Sequence, residues 1–173
     1  MGISTDNAGQ NHFVLWTDEK IEDLGLTDSS TTGAAPMAHI VINNHGDIAG
    51  SAGGTAYFWS GGVKTQLPTS GGALEVVQLN ENGDVVGNIL MGSQQHVFVW
   101  STSRGLLDLG AGPDGFSGAW AVDINARGDI LGYTAPCRHD YWNPDRCVDF
   151  PVDYWATQVR AILWRNTQAT ASR

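Results

Sequence analysis

The residues best suited to chemistry in this chain are one histidine and two carboxylates, on three short apolar segments. His39 lies in MAHIVI, Glu75 in LEVVQL and Asp123 in WAVDI. A histidine and two carboxylates near one point could act as a general acid and base, or could hold a divalent cation. If the cation is Ca²⁺, we expect Asp123 and Glu75 to supply its oxygen ligands.

Each of these segments runs into a nine-residue phrase that the chain repeats. The copies read INNHGDIAG at 42–50, LNENGDVVG at 79–87 and INARGDILG at 124–132. Asn followed three residues later by Gly, between two apolar segments, is a hairpin signal. The Asn side chain bonds its own backbone, and Gly adopts the left-handed conformation at little steric cost. The phrase therefore predicts three turns, built on Asn43, Asn80 and Asn125 with Gly46, Gly83 and Gly128.

A second apolar segment, which ends in Trp, follows each phrase, and a fourth copy of it lies near the N-terminus. These segments end at Trp16, Trp59, Trp100 and Trp164. A Leu follows the first three Trp residues after eight or nine positions, at Leu24, Leu67 and Leu109. The repeated pattern therefore predicts that each unit forms four short strands. Units of about 40 residues with one Trp are typical of β-propeller blades, which stack to cover their apolar faces.

We expect a single all-β domain with a β-propeller-like array of four-stranded antiparallel units, about three and a half in number. The predicted units are 2–36, 37–73, 74–117 and 118–173. Known propellers usually have four or more blades, so this count does not close a ring. The chain is then a fragment, or its sheets stack in another way, or two chains complete one ring. We favour a homodimer, because open sheet edges at both ends invite pairing with a second copy.

The first strand of each unit shows an alternation of apolar residues, which predicts that one face lies in the core. The predicted core positions are Ile40, Ile42, Val77, Leu79, Val122 and Ile124. The other positions would line a central channel, and they are His39, Val41, Glu75, Gln78 and Asp123.

The last unit carries an insertion at about 134–158 that contains both cysteines, Cys137 and Cys147. A disulfide between them would close a short loop, and two free thiols fit the sequence equally well. Long loops in compact folds are often functional, and a lid over a sheet edge is the alternative. The candidates in this segment are His139 for catalysis and Tyr141, Trp142 and Tyr154 for ligand binding.

The charge balance excludes two classes of partner. The formal net charge is −9, so the phosphates of nucleic acids and anionic membrane surfaces would be repelled. No apolar run reaches the length of a membrane span, and no signal peptide is visible at the N-terminus.

The combination of the phrase, an HxFxW segment and DLG resembles the extracellular HAF-repeat proteins. The matching positions are His12, Phe13, Leu15 and Trp16, then His96, Phe98 and Trp100. Thr55 and Arg160 replace the histidine in the other two copies. The resemblance covers most of residues 2–164 outside the insertion. It implies a repeat fold and an extracellular or periplasmic location, and it says little about activity.

Two functions remain open, beside the interpretation of the chain as a non-catalytic structural fragment. The regular repeat favours a binding module that presents its surface to a small molecule, a carbohydrate or a protein. The alternative is a Ca²⁺-dependent hydrolase, a lactonase or esterase at the channel mouth, and it relies on architectural analogy with propeller lactonases. Its catalytic residues would be His39, Glu75, Asp123 and His139. His12 and His96 recur in register, which predicts a structural role in bridging adjacent strands.

Overall fold

A computed structural model describes residues 2–17, 20–26, 39–69, 71–112, 116–136 and 160–166. These residues form fourteen β-strands and contain no helix, which confirms the all-β prediction. Within the same residues, therefore, no helix is long and apolar enough to cross a membrane. The candidate residues His139, Tyr141, Trp142 and Tyr154 and both cysteines lie outside the described residues.

The strands fall into four units along the chain. Unit 1 contains β1 (Gly2–Thr5), β2 (Asn11–Trp16) and β3 (Ile21–Leu26). Unit 2 contains β4 (His39–Ile42), β5 (Ile48–Ala52), β6 (Thr55–Ser60) and β7 (Val63–Gln66). Unit 3 contains β8 (Ala73–Leu79), β9 (Val85–Met91), β10 (Gln94–Ser101) and β11 (Gly105–Asp108). Unit 4 contains β12 (Phe116–Ile124), β13 (Ile130–Pro136) and β14 (Arg160–Trp164).

Within each unit, consecutive strands pair in antiparallel fashion, as expected for strands joined by short hairpins. Unit 1 and unit 2 each form a separate sheet. Units 3 and 4 form one seven-stranded sheet, because β10 and β12 share a parallel bridge between Gln95 and Gly118. The four-stranded antiparallel unit is thus present in units 2 and 3. The described strands do not form a closed ring, so the propeller-like arrangement stays a prediction.

Strand β1 was not predicted, because the sequence before Trp16 contains no complete copy of the phrase. The register places Gly2 opposite Val14, just as it places Gly87 opposite Phe98 in unit 3. Gly2 therefore occupies the position of the last Gly of the phrase, and β1 is the second strand of its unit. The ring of Trp16 lies 2.8 Å from where a Cβ on Gly2 would stand.

The hydrophobic core lies between successive units, as stacking requires. The first cluster joins Phe13 of unit 1 to Ile48 and Trp59 of unit 2. The second joins Ala49 and Phe58 of unit 2 to residues of unit 3 that include Val76, Val85 and Trp100. The third joins Val86 and Val97 of unit 3 to Ala119, Ala121 and Ile130 of unit 4.

Two residues predicted to be buried, Ile42 and Val122, are exposed in the structure. A β-bulge interrupts β12 between Ala121 and Asp123, and Val122 is the extra residue that leaves the alternation. In β4 the predicted alternation of buried and exposed residues is wrong for a different reason. Unit 2 packs against unit 1 on one face and against unit 3 on the other. Ile40 contacts the core shared with unit 1, whereas Val41, predicted to line a channel, contacts the core shared with unit 3.

Candidate functional site

The three turns of the repeated phrase form a hydrogen-bonded ladder. Asn80 Oδ1 accepts hydrogen bonds from the backbone N–H groups of Asn82 and Asp84, both at 2.9 Å. Asn80 Nδ2 donates to Asp84 Oδ2 at 2.9 Å and to the backbone carbonyl of Asn125 in unit 4 at 3.0 Å. The amide thus uses two acceptor and two donor positions, which satisfies a polar side chain in a buried place.

The same contacts connect unit 2 to unit 3. Asn43 Nδ2 donates to Asp47 Oδ2 and to the carbonyl of Asn80, both at 3.1 Å. Gly46, Gly83 and Gly128 all have positive φ angles, so the predicted turn chemistry is confirmed. The donations from Asn43 and Asn80 to the following unit were not predicted. They require Asn and not Asp, because an Asp carboxylate has no proton to donate.

The turn of unit 4 contains three residues with side-chain oxygen atoms, Asp123, Asn125 and Asp129. These side chains bond locally, within the turn and at the end of the strand before it. Asn125 Nδ2 donates to Asp129 Oδ2 at 3.1 Å, and Arg127 Nε donates to the same oxygen at 3.1 Å. Asp123 Oδ1 accepts from the backbone N–H of Ile124 at 2.8 Å. These carboxylates therefore stabilise a turn and the end of a strand.

The hydrogen bond from Asn125 lowers the pKa of the Asp129 carboxyl below its usual value. The backbone N–H of Asn166 and the guanidinium of Arg127 act in the same direction, because each favours the charged carboxylate, and desolvation opposes them.

His12 and His96 bridge neighbouring strands, as their recurrence predicted. His96 Nδ1 lies 2.9 Å from Asp108 Oδ2, and Asp108 Oδ1 accepts from the N–H of Gly110 at 2.7 Å. His12 Nδ1 contacts Asp23 Oδ2 at 2.8 Å in the same way. The His column and the DLG sequence are therefore one structural feature, which positions the third and fourth strands of a unit.

The three residues proposed for chemistry, His39, Glu75 and Asp123, are all exposed. No hydrogen bond joins any two of them in the described part of the chain, so their convergence on one site stays a prediction. Glu75 Oε2 accepts from Asn88 Nδ2 at 3.2 Å. Among the described residues, no group of three or more His, Cys, Asp or Glu side chains is placed to hold a metal ion.

The structure identifies a different surface, the outer face of unit 4, and we call it the end face. It contains Leu131, Leu163, Tyr133 and Trp120. Leu131 pairs with Leu163, and Tyr133 pairs with Trp120, whose ring lies parallel to it at 5.4 Å between centroids. Burial raises the pKa of the Tyr133 phenol, and the charge of nearby Glu75 adds to that shift.

Equivalent residues in the other units are buried against the following unit. The pair Leu131–Leu163 corresponds to Ala49–Phe58 in unit 2 and to Val86–Val99 in unit 3, because each pair joins the second and third strands at the same register. Ala49, Phe58 and Val86 are buried, and Val99 packs on the core cluster between units 3 and 4. Leu131 is 45% exposed and Leu163 is 48% exposed.

Tyr133 also replaces a residue that joins units elsewhere. It follows the last Gly of the phrase, as Ser51 and Asn88 do. Ser51 Oγ accepts from the N–H of Val76 at 2.8 Å, and Asn88 Oδ1 accepts from the N–H of Ala121 at 2.9 Å. The end face therefore corresponds to the faces that contact the next unit elsewhere in the chain. At the position where those faces accept a hydrogen bond from the next unit, it carries the aromatic residue Tyr133. A sequence alignment of the copies contains this signal, since Tyr133 breaks the small polar pattern.

The opposite end of the array also exposes a repeat residue. Trp59 and Trp100 pack on the preceding unit: Trp59 Nε1 donates to the carbonyl of Leu24 at 3.2 Å, and Trp100 lies 5.1 Å from the ring of Phe58. Trp16, in unit 1, is 47% exposed. Ile21 pairs with Trp16 across the sheet and is exposed as well.

Comparisons of this chain with protein-family models, with curated proteins and with solved structures found no match.

Proposed function

We propose that this chain is a protein-binding β-repeat module, and that its partner is a second copy of itself. The observation that supports the proposal is the exposure of Leu131 and Leu163 at a register where the equivalent pairs are buried between units. Contiguous apolar surface of this kind marks interaction sites, because its exposure to water is unfavourable.

The two ends of the array offer complementary apolar surfaces. The end face presents Leu163, which corresponds to Phe58, and the opposite end presents Trp16, which corresponds to Trp100. Phe58 and Trp100 are in contact inside the chain. A contact between the end face of one copy and the Trp16 end of another would bury both surfaces. Two such contacts close a ring of two copies, which agrees with the homodimer predicted from the sequence.

The polar side chains that recur in the repeat take part in the scaffold. The recurrent Asn, Asp and His side chains contact one another and the backbone, and this favours a binding module over a catalytic one. The Ca²⁺-dependent hydrolase keeps its sequence-based argument, and the described residues add no contact in its favour.

Size-exclusion chromatography with light scattering over a range of concentrations tests this proposal. We expect a dimer for the unmodified protein and a monomer for Leu163→Glu, which places a charge on the end face. Val63→Glu is the control, because Val63 is exposed on β7 of unit 2 and belongs to neither of the two end units. A monomer at every concentration, or equal effects of both substitutions, would contradict the proposal.

A further inference from the structure

Two cavities occupy equivalent places between units. One lies between units 1 and 2 and has a volume of about 370 Å³, and the other lies between units 3 and 4 and has a volume of about 260 Å³. We call the second one the 3–4 cavity. The linings share five equivalent positions of the repeat, two in the preceding unit and three in the following unit. These are Leu15, Leu24, Gly46, Ile48 and Trp59 in one, and Val99, Leu109, Gly128, Ile130 and Trp164 in the other.

Between units 2 and 3 a larger side chain occupies this place. Phe58 stands where Leu15 and Val99 stand in the other units. Its ring lies 5.1 Å from the ring of Trp100, and its Cζ atom lies 3.6 Å from where a Cβ on Gly83 would be. The size of the residue before Trp therefore decides whether the space between two units is filled. The scaffold tolerates a phenyl group there.

The charges at the two cavities differ. The 3–4 cavity is lined by Arg104 and Arg165, and its carboxylate, Asp84, already accepts a hydrogen bond from Arg104 Nη2 at 2.7 Å. The cavity between units 1 and 2 is lined by Glu22, Asp23 and Lys64. Two arginines at one cavity are notable in a chain of net charge −9, because they make the local potential favourable to an anion.

Trp59 and Trp164 also differ in what covers them. The Nζ atom of Lys64 lies 5.2 Å from the ring centre of Trp59 and 4.2 Å from that of Tyr57. Burial in this position lowers the pKa of Lys64. Lys64 belongs to β7, the last strand of unit 2, and the described part of unit 4 contains no equivalent strand. The indole of Trp164 lines the 3–4 cavity, and among the described residues no cation lies above it as Lys64 lies above Trp59.

We propose that the 3–4 cavity binds a small carboxylate with an aromatic or branched aliphatic group. The apolar group would lie against Val99, Leu109 and Trp164. The carboxylate would accept hydrogen bonds from Arg165 and Arg104, since a guanidinium presents paired donors that match a carboxylate. A cavity of about 150 Å³ holds a benzene ring, so a volume of about 260 Å³ accommodates one ring with a short acidic side chain.

This site is independent of self-association, because none of Leu131, Leu163 and Tyr133 lines the 3–4 cavity. Its ligand is a small molecule, whereas the end face contacts a protein. Failure of one proposal therefore leaves the other unaffected.

Titration calorimetry with phenylacetate as the probe tests the proposal, and phenylacetamide serves as the neutral isostere. We expect phenylacetate to bind with a Kd on the order of 1 mM or tighter. We also expect phenylacetamide to bind at least about tenfold more weakly, since it lacks the charge that the arginines recognise.

Two substitutions locate the probe. Val99→Phe introduces the side chain that unit 2 carries at this position and should abolish binding by filling the cavity. Arg165→Gln removes one exposed guanidinium and should weaken binding about tenfold. Leu15→Phe, in the cavity between units 1 and 2, is the matched control and should leave phenylacetate binding unchanged.

Thermal melts of each variant establish that it is folded, and Arg165→Gln keeps the test decisive if Val99→Phe does not fold. The proposal is overturned if the unmodified protein does not bind phenylacetate. It is also overturned if phenylacetamide binds equally well, or if a folded Val99→Phe or Arg165→Gln variant binds phenylacetate as tightly as the unmodified protein.

Discussion

His96 Nδ1 lies 2.9 Å from Asp108 Oδ2, and the copy in unit 1, His12 with Asp23, repeats this contact at 2.8 Å. Unit 2 has neither residue, because Thr55 and Gln66 stand in their places. The presence of both residues in two units and the replacement of both in a third indicate that the pair acts as one element of the hairpin.

The His–Asp pair predicts a measurable coupling. We expect His96→Thr and Asp108→Gln each to lower the free energy of unfolding by about 1 kcal/mol, because each removes the contact between the partly buried His96 imidazole and the exposed Asp108 carboxylate. The double variant carries the residues of unit 2 and should lose less than the sum of both. Urea unfolding of the four proteins measures the coupling. Additive losses would show that the two residues act separately.

The asparagine ladder predicts that Asn80 is more important for stability than Asn125. Both residues hold their own turn, but only Asn80 also donates to the following unit in the described part of the chain. We expect Asn80→Ala to cost about 2–3 kcal/mol, since it leaves buried backbone groups without partners. Asn125→Ala, at an exposed turn, should cost about 1 kcal/mol less. Equal losses in urea unfolding would contradict the role of the ladder.

The last Gly of the phrase predicts a steric effect that differs between units. A Cβ on Gly87 would overlap with the carbonyl oxygen of Glu75 in the neighbouring strand, whereas one on Gly50 would lie 3.3 Å from the carbonyl of His39. A β-bulge interrupts β8 between Val76 and Gln78, and Val76 is the residue opposite Gly87. We expect Gly87→Ala to destabilise the protein by about 3 kcal/mol or more and Gly50→Ala by about 1 kcal/mol. Thermal melts of both variants compare them directly.

The pKa of Asp129 predicts a loss of stability in acid. Its folded-state pKa lies below the ordinary value of 3.8, chiefly because Asn125 donates a hydrogen bond to the carboxylate. A lowered folded-state pKa stabilises the protein fully above the unfolded value, and this contribution disappears as the pH falls through the folded value. We expect the unmodified protein to lose more stability than Asp129→Asn between about pH 5 and pH 2. Parallel pH profiles in urea unfolding would show that Asp129 does not contribute.

Local chemistry in the sequence determined the strands and turns of this protein. The Asn–Gly spacing specified the turns at Asn43, Asn80 and Asn125, and the apolar segments ending in Trp specified the third strand of each unit. Such features depend on neighbouring residues along the chain, so a single sequence contains them. The recurrence of His12 and His96 likewise indicates a structural role from the sequence, whereas their aspartate partners are identified by the structure.

Only the tertiary structure decided which residues at equivalent positions of the repeat differ in their burial. Trp16 and Trp100 occupy the same position in the repeat, yet one is exposed and the other is 4% exposed. Leu163 and Phe58 are likewise equivalent, and only Phe58 is covered by a following unit. Stacking determines the surroundings of each copy, and the bulge at Val122 changes which side of the strand meets solvent. The end face and the 3–4 cavity arise from these differences in stacking, because burial depends on neighbours that are distant in sequence.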